Sequence, residues 1–251
     1  MLPLSRILLM SGTVTLLTGY LLISQWKPLF PPTHSPGSGR RMVYTYVQTG
    51  IPIKGQDRAL LTRMLQVWLR SWHAHGYHPI ILALADAMHH ANYTCLRDTF
   101  ATFPTVNPPE YELACYMRWL AFRMTGGGVF MDYDIVAVDR FEVPWRHIDG
   151  LYSWEPLAPM LTVGSAEGLD HQIAFMANHG EPLQTIEGRP HTSDMLIMRR
   201  NMHLYTQVLL NHPPVVHVSN GFHEQFSKEA NAVITRDDLI ADISLYGILQ
   251  T

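Results

Sequence analysis

The stretch "GGGVFMDYDIVAVDRF", residues 126–141, decides how this chain is read. Three glycines lead into Val129, Phe130 and Met131. Asp132 and Asp134 follow, one residue apart, and Ile135, Val136, Ala137 and Val138 form a second apolar run. The apolar runs predict a buried strand with the aspartates at the carboxyl end of its first part. On a regular strand, residues i and i+2 project to one face, so the two carboxylates would point together. Such a pair repels and desolvates poorly unless a cation sits beside it. A hard divalent ion such as Mg²⁺ or Mn²⁺ meets that need and keeps coordination sites for phosphate oxygens. The competing reading is a turn whose aspartates cap backbone groups. The apolar flanks on both sides count against a solvated turn.

Upstream, "EYELACYMRWLAFRM" at 110–124 carries Leu113, Tyr116, Met117, Leu120 and Met124 at helical spacing, and Gly126–Gly128 are expected to stop that helix. Further back, "MVYTYVQ" at 42–48 reads as a buried strand and residues 56–75 as an amphipathic helix. "HPIILALAD" at 78–86 reads as a second strand ending at Asp86. Strand, helix, strand predicts a βαβ unit with parallel strands. In open α/β sheets, ligands bind outside the carboxyl ends of the strands, where Asp132 and Asp134 are expected. Beyond residue 150 the pattern is less regular. "LYSWEP" and "QIAFMAN" suggest a strand and a helix, "DMLIMRRN" another element, and "PPVVHVS" a late strand ending near His217. A single α/β domain over 42–251, with a mostly parallel central sheet, is the economical reading.

The 251 residues are 47% hydrophobic and 16% charged, enough for one sizeable core. The net charge of -3, without long runs of one sign, gives no electrostatic reason to expect nucleic acid. The histidines at 73, 75, 78, 89 and 90 have no Cys or carboxylate at ligand spacing and read as a solvated helix end and loop. Cys95 and Cys115 leave open either one bridge or a buried free thiol at 115. From Ile7 to Gln25, "ILLMSGTVTLLTGYLLISQ", no residue is charged, which fits a spanning helix of ~20 residues. Residues 1–25 are therefore expected to be a short cytoplasmic tail and a signal anchor, the rival reading being a cleaved signal peptide. The Pro-, Gly- and Ser-rich residues 26–41 read as a stem. The triplet Asn92-Tyr93-Thr94 is a glycosylation sequon, consistent with a translocated domain.

The segment "RWLAFRMTGGGVFMDYD" resembles the DXD-containing glycosyltransferases, the group of yeast-type initiating mannosyltransferases and bacterial capsular-polysaccharide transferases. The resemblance covers roughly residues 42–140. It implies a GT-A fold, a Rossmann-like α/β sandwich, and a Mn²⁺ or Mg²⁺ ion held against the diphosphate of a nucleotide sugar. It makes Asp134 the more direct metal ligand, and Asp132 a contact to the ribose or sugar that shares the ion. Arg118 matches the helix Arg near the donor, and the end of the first strand, around Thr45 and Gln48, matches the nucleotide-contacting edge. Two departures stand out: Cys115 occupies a position where the family commonly has Asp, and three glycines replace two.

Other residues carry two readings each. Asp194, in "HTSDMLIM", fits an acceptor-side or catalytic carboxylate, or a helix N-terminal Asp capped by Ser193 or Thr192. His217 at a strand end fits a third metal ligand or a structural histidine. Asp86 fits a nucleotide contact or a helix cap, and Trp119 reads as core. Together these lead to an expectation of a metal-dependent glycosyltransferase. It would be single-pass type II in the Golgi or another secretory membrane, using a UDP- or GDP-sugar and a glycan, protein or lipid acceptor. The alternatives are an inactive transferase-like scaffold and, more remotely, a haloacid-dehalogenase-type phosphatase. The last usually has Thr two residues after its Asp-x-Asp, where this chain has Val136.

Overall fold

β1 (Arg41–Tyr46) alternates its side chains between two apolar layers, which is why so short a segment is buried along most of its length. A computed structural model of the chain describes residues 41–48, 58–138, 150–153, 161–200, 206–207 and 215–218. The expected anchor and all of the expected stem but Arg41 lie outside the described residues. Among the described residues no helix is long and apolar enough to cross a membrane.

After β1 come α1 (Arg58–Ala74), β2 (Tyr77–Leu82), the single-turn α2 (Leu84–Ala87), α3 (Tyr93–Phe100), α4 (Pro109–Met124), β3 (Gly127–Met131) and β4 (Ile135–Ala137). The remainder is β5 (Leu151–Ser153), β6 (Leu161–Ser165), α5 (Ala166–Ala177), β7 (Gln184–Ile186), β8 (Arg189–His191), α6 (Asp194–Arg200), β9 (Thr206–Gln207) and β10 (Val215–His217). The main sheet has the order β2-β1-β3-β6-β5-β9. β1 runs parallel to both β2 and β3, β5 runs parallel to β9, and β6 is antiparallel to β3 and β5. The expected α/β class with a mostly parallel sheet is thus present, with an antiparallel strand in its middle.

Two cores sandwich the sheet. Val43, Val129 and Met131 meet Trp68 and Trp72 of α1 on one face. Tyr44, Tyr46 and Phe130 meet Trp119, Leu120 and Phe122 of α4 and Leu169 and Ile173 of α5 on the other. The helical stripe of α1 is realised as Met64, Val67, Trp68 and Trp72. α4 is buried more broadly than its predicted stripe, since Trp119, Ala121 and Phe122 join Tyr116, Met117 and Leu120. Met124, at its end, is exposed.

Three sequence expectations change. Asp86 does not end a strand: β2 stops at Leu82, and Asp86 lies in α2, where its Oδ2 accepts from the Ala83 amide at 2.7 Å. Only Gly126 belongs to the turn after α4, because Gly127 and Gly128 already pair in β3. Both have φ values, +106° and +134°, that L side chains rarely adopt. A Cβ would lie 2.3 Å from Gly164 O at Gly127 and 2.9 Å from the Tyr44 ring at Gly128. The third glycine is therefore required by close packing of β3 against β6 and β1.

The third change concerns the aspartates themselves. β3 ends at Met131, and Asp132–Tyr133–Asp134 form a turn closed by the Ile135 amide on Asp132 O at 3.1 Å. They are not i and i+2 on one strand. The turn is nevertheless half-buried, because the chain re-enters the core at once as β4. Trp72 Nε1 of α1 donates to Ile135 O at 3.1 Å, and Ser71 Oγ accepts from the Ala137 amide at 3.3 Å. β10 pairs antiparallel with β4, placing His217 opposite Ile135, and the Val218 amide donates to Asp134 O at 2.8 Å.

Candidate functional site

β1 and β3 are parallel neighbours, and their chains leave toward opposite sides of the sheet order. This is the arrangement that opens a crevice at strand carboxyl ends. A cleft of about 160 Å³ lies there. Tyr46, Val47 and Gln48 line it from the end of β1, Tyr111, Ala114, Cys115 and Arg118 from α4, and Asp132, Tyr133 and Asp134 from the turn after β3.

Arg118 organises the charge. Its Nη1 donates to Asp132 Oδ1 at 2.9 Å, while Nε and Nη2 both donate to Asp194 Oδ2, at 3.0 and 2.5 Å. The same Asp194 oxygen accepts from Trp119 Nε1 at 2.9 Å, and its Oδ1 accepts from the Met195 amide at 2.8 Å. Burial works against the guanidinium charge, but Asp194 and Asp132 outweigh it and hold Arg118 protonated. With its planar fork fixed on one side by Asp194, Arg118 has one arm directed at the cleft.

Asp132 is the group most affected by this crowding. Burial, with Asp134 and Asp194 nearby, raises its carboxyl to about 6, even though Arg118 and His217 oppose the shift. Asp134 lies 3.4 Å from His217 Nε2 across the β4–β10 pairing. Arg118 balances one of the three aspartates, so two negative charges remain, or one if His217 is protonated.

Sequence-predicted residues thus separate into groups. Arg118, Asp132, Asp134 and Gln48 line the cleft, with His217 beside Asp134. Thr45 is wholly buried in β1 and lies behind the lining; Tyr46 and Val47, not singled out from sequence, take the place expected for it. Tyr46 Oη donates to Gln48 Oε1 at 2.9 Å and fixes that amide. Asp86 stays with its cap. Asp194 is 1% exposed and sits behind the cleft as the anchor of Arg118, while Ser193 Oγ accepts from the Leu196 amide at 3.3 Å as the cap of α6. Trp119 is core, as expected, and also a donor to the site.

Cys115 and Cys95 are both free thiols. Burial pushes the Cys115 thiol far above its usual range, which keeps it neutral in the cleft wall.

The donor chemistry can be weighed against a divalent ion. Asp132 offers the carboxylate oxygen not taken by Arg118, Asp134 offers a carboxylate, and His217 offers an imidazole nitrogen. Among the described residues no three His, Cys, Asp or Glu side chains form a ready metal cage. Such an incomplete oxygen-rich set suits Mg²⁺ or Mn²⁺, which commonly complete their shells with water and a ligand's phosphate oxygens.

Residues 25–187, about two thirds of the chain, match a family model described as Domain of unknown function (DUF8765). The chain belongs to that family. No curated protein matches it. The match includes Arg118, Asp132 and Asp134 and ends before Asp194 and His217.

Proposed function

We propose that this member of the DUF8765 family is a metal-dependent glycosyltransferase of GT-A type, moving a sugar from a UDP- or GDP-sugar to a glycan, protein or lipid acceptor. The observation that carries the reading is the excess of half-buried negative charge at the carboxyl ends of β1 and β3, beside an arginine held by a second carboxylate. Such a site favours a divalent cation together with an anionic ligand. A nucleoside diphosphate supplies the ligand chemistry, and the apolar and aromatic lining from Tyr46, Val47 and Tyr111 suits the less polar parts of a donor.

Asp134, the second oxygen of Asp132, and His217 would hold Mn²⁺ or Mg²⁺. The ion's chemistry there is neutralisation of charge on the departing diphosphate. Arg118 adds a fixed positive arm for the same phosphates, and Asp194 acts through Arg118 by fixing its plane. Tyr46 holds Gln48 in one orientation at the nucleotide edge. The uncharged run at residues 7–25 supports a type II anchor in a Golgi or other secretory membrane.

Thermal unfolding with Mn²⁺ and either UDP or GDP tests this reading. Stabilisation is expected only when metal and nucleotide are both present, and Asp134→Asn should remove the metal dependence. If neither nucleotide raises the melting temperature in the presence of metal, the donor site is not here. Hydrolysis of the sugar nucleotide without acceptor then separates an enzyme from a binding scaffold. The Cys115 substitution is the feature that favours the scaffold.

A further inference from the structure

We infer that Asn92 is an N-glycosylation site and that α3 presents a glycan-bearing face outside the cleft lining. Asn92-Tyr93-Thr94 is the only Asn-x-Ser/Thr triplet in the 251 residues. Sequence alone gives that triplet little weight; its setting adds three observations.

Asn92 occupies the N-cap position of α3, where an Asn side chain ordinarily accepts from the first-turn amides. Here its backbone is not in the extended conformation of a capping residue, and its side chain makes no cap hydrogen bond. The Asn92 backbone is engaged at both ends, its amide donating to His90 Nδ1 at 3.2 Å and its carbonyl accepting from the Leu96 amide at 3.0 Å. An exposed carboxamide at a cap position that does no capping has no structural task.

The middle residue is turned away from the modification face. Tyr93 packs against the core, with the Arg97 guanidinium 5.8 Å over its ring. Asn92 and Thr94 are both exposed, and Cys95 and Asp98 continue the exposed face along α3. Finally, none of the residues lining the cleft belongs to α3.

The step is a group transfer from a lipid-diphosphate-linked oligosaccharide. Asn92 Nδ2 forms a bond to the anomeric carbon and the carbon–oxygen bond to phosphate breaks. The lipid diphosphate leaves with the electron pair, and Nδ2 gives up one proton. The inference depends on the lumenal placement proposed for the domain, but not on its transferase activity. A polar glycan at Asn92 would stand one helical turn from the exposed Cys95 thiol and screen it in an oxidising lumen.

The full chain, translated with endoplasmic-reticulum vesicles, provides the test. The expected result is a protease-protected domain with a single mobility shift that an N-glycosidase removes. Asn92→Gln and Thr94→Ala should lose the shift, whereas Thr94→Ser should keep it. A protected domain without the shift overturns the inference, as does a shift that survives Asn92→Gln. A domain digested from outside the vesicles overturns it together with the proposed topology. Metal-dependent nucleotide binding, measured on unglycosylated protein, is unaffected by any of these results and judges the transferase reading separately.

Discussion

Glu112 and Asp194 are both carboxylates withdrawn from water beside α4, at 4% and 1% exposure, yet their surroundings treat the charge in opposite ways. Glu112 Oε2 accepts from Asn107 Nδ2 at 2.8 Å and Thr105 Oγ1 at 3.3 Å. Burial prevails over those neutral donors and lifts its carboxyl to about 7. Asp194 receives two bonds from Arg118 and one from Trp119. Neutral donors stitch a loop to a helix and tolerate protonation. A guanidinium fixes a charge, and it fixes its own third arm as well. The difference marks which side of α4 is scaffold and which is site.

Breaking the charged side should have the largest effect. Asp194→Ala leaves Arg118 buried with half of its partners, and removal of one partner from a buried pair typically costs about 3–5 kcal/mol. A fall of that size in the urea-unfolding free energy is expected, with nucleotide binding weakened even at temperatures where the variant is folded. If binding stays at the wild-type level, Arg118 needs no anchor.

The neutral side should respond with the opposite sign. A carboxyl whose folded value is raised from 4.5 to about 7 contributes its stability fully below the unfolded value, and loses it as pH rises through 7. At about 1.4 kcal/mol per unit, and allowing for partial hydration, Glu112→Gln should be more stable than wild type at pH 8 by on the order of 2 kcal/mol. At pH 4.5 the advantage should vanish. An equal difference at both pH values would mean that Glu112 does not titrate with folding.

Trp119→Phe sharpens the comparison by removing one donor to Asp194 while keeping an aromatic side chain. A hydrogen bond to a charged group is worth about 1.5–3 kcal/mol, and the smaller ring leaves a cavity at this fully buried position, so a loss of about 2 kcal/mol is expected in thermal or urea unfolding. A loss as large as that of Asp194→Ala would place Trp119, and not Arg118, as the main support of the carboxylate.

How far the sequence shows this arrangement depends on the range over which each signal acts. β1, α1, β2, α4 and β3 follow from local periodicity and from glycines that end helices, so they were readable to within a few residues. The Asp132–Asp134 turn was not, because the apolar runs on both sides are equally consistent with one strand or with two strands joined by a tight turn. The tertiary pairing of β4 with β10 decides between them, across nearly eighty residues. The partnership of Arg118 with Asp194 spans 76 residues and leaves no periodic trace. The place of Asp194 before an apolar run marks the position but not its task. The Tyr46–Gln48 bond had a legible signal, since i and i+2 at a strand end lie on one side.

The smallest effect asks whether the charge left over in the cleft serves a metal. Asp132 must be ionised to act as a ligand, and its carboxyl stands at about 6. Protons therefore compete with Mn²⁺ below that value and cease to compete above it. Titration of Mn²⁺ binding by calorimetry should show affinity rising by about tenfold per pH unit up to about pH 6, and levelling off beyond. Asp132→Asn should bind more weakly and lose the slope. A wild-type affinity that does not change between pH 5 and pH 7 would remove Asp132 from the metal shell. The Arg118–Asp132 pair would then be the charged counterpart of the Glu112 cluster, a structural tie with no ligand to receive.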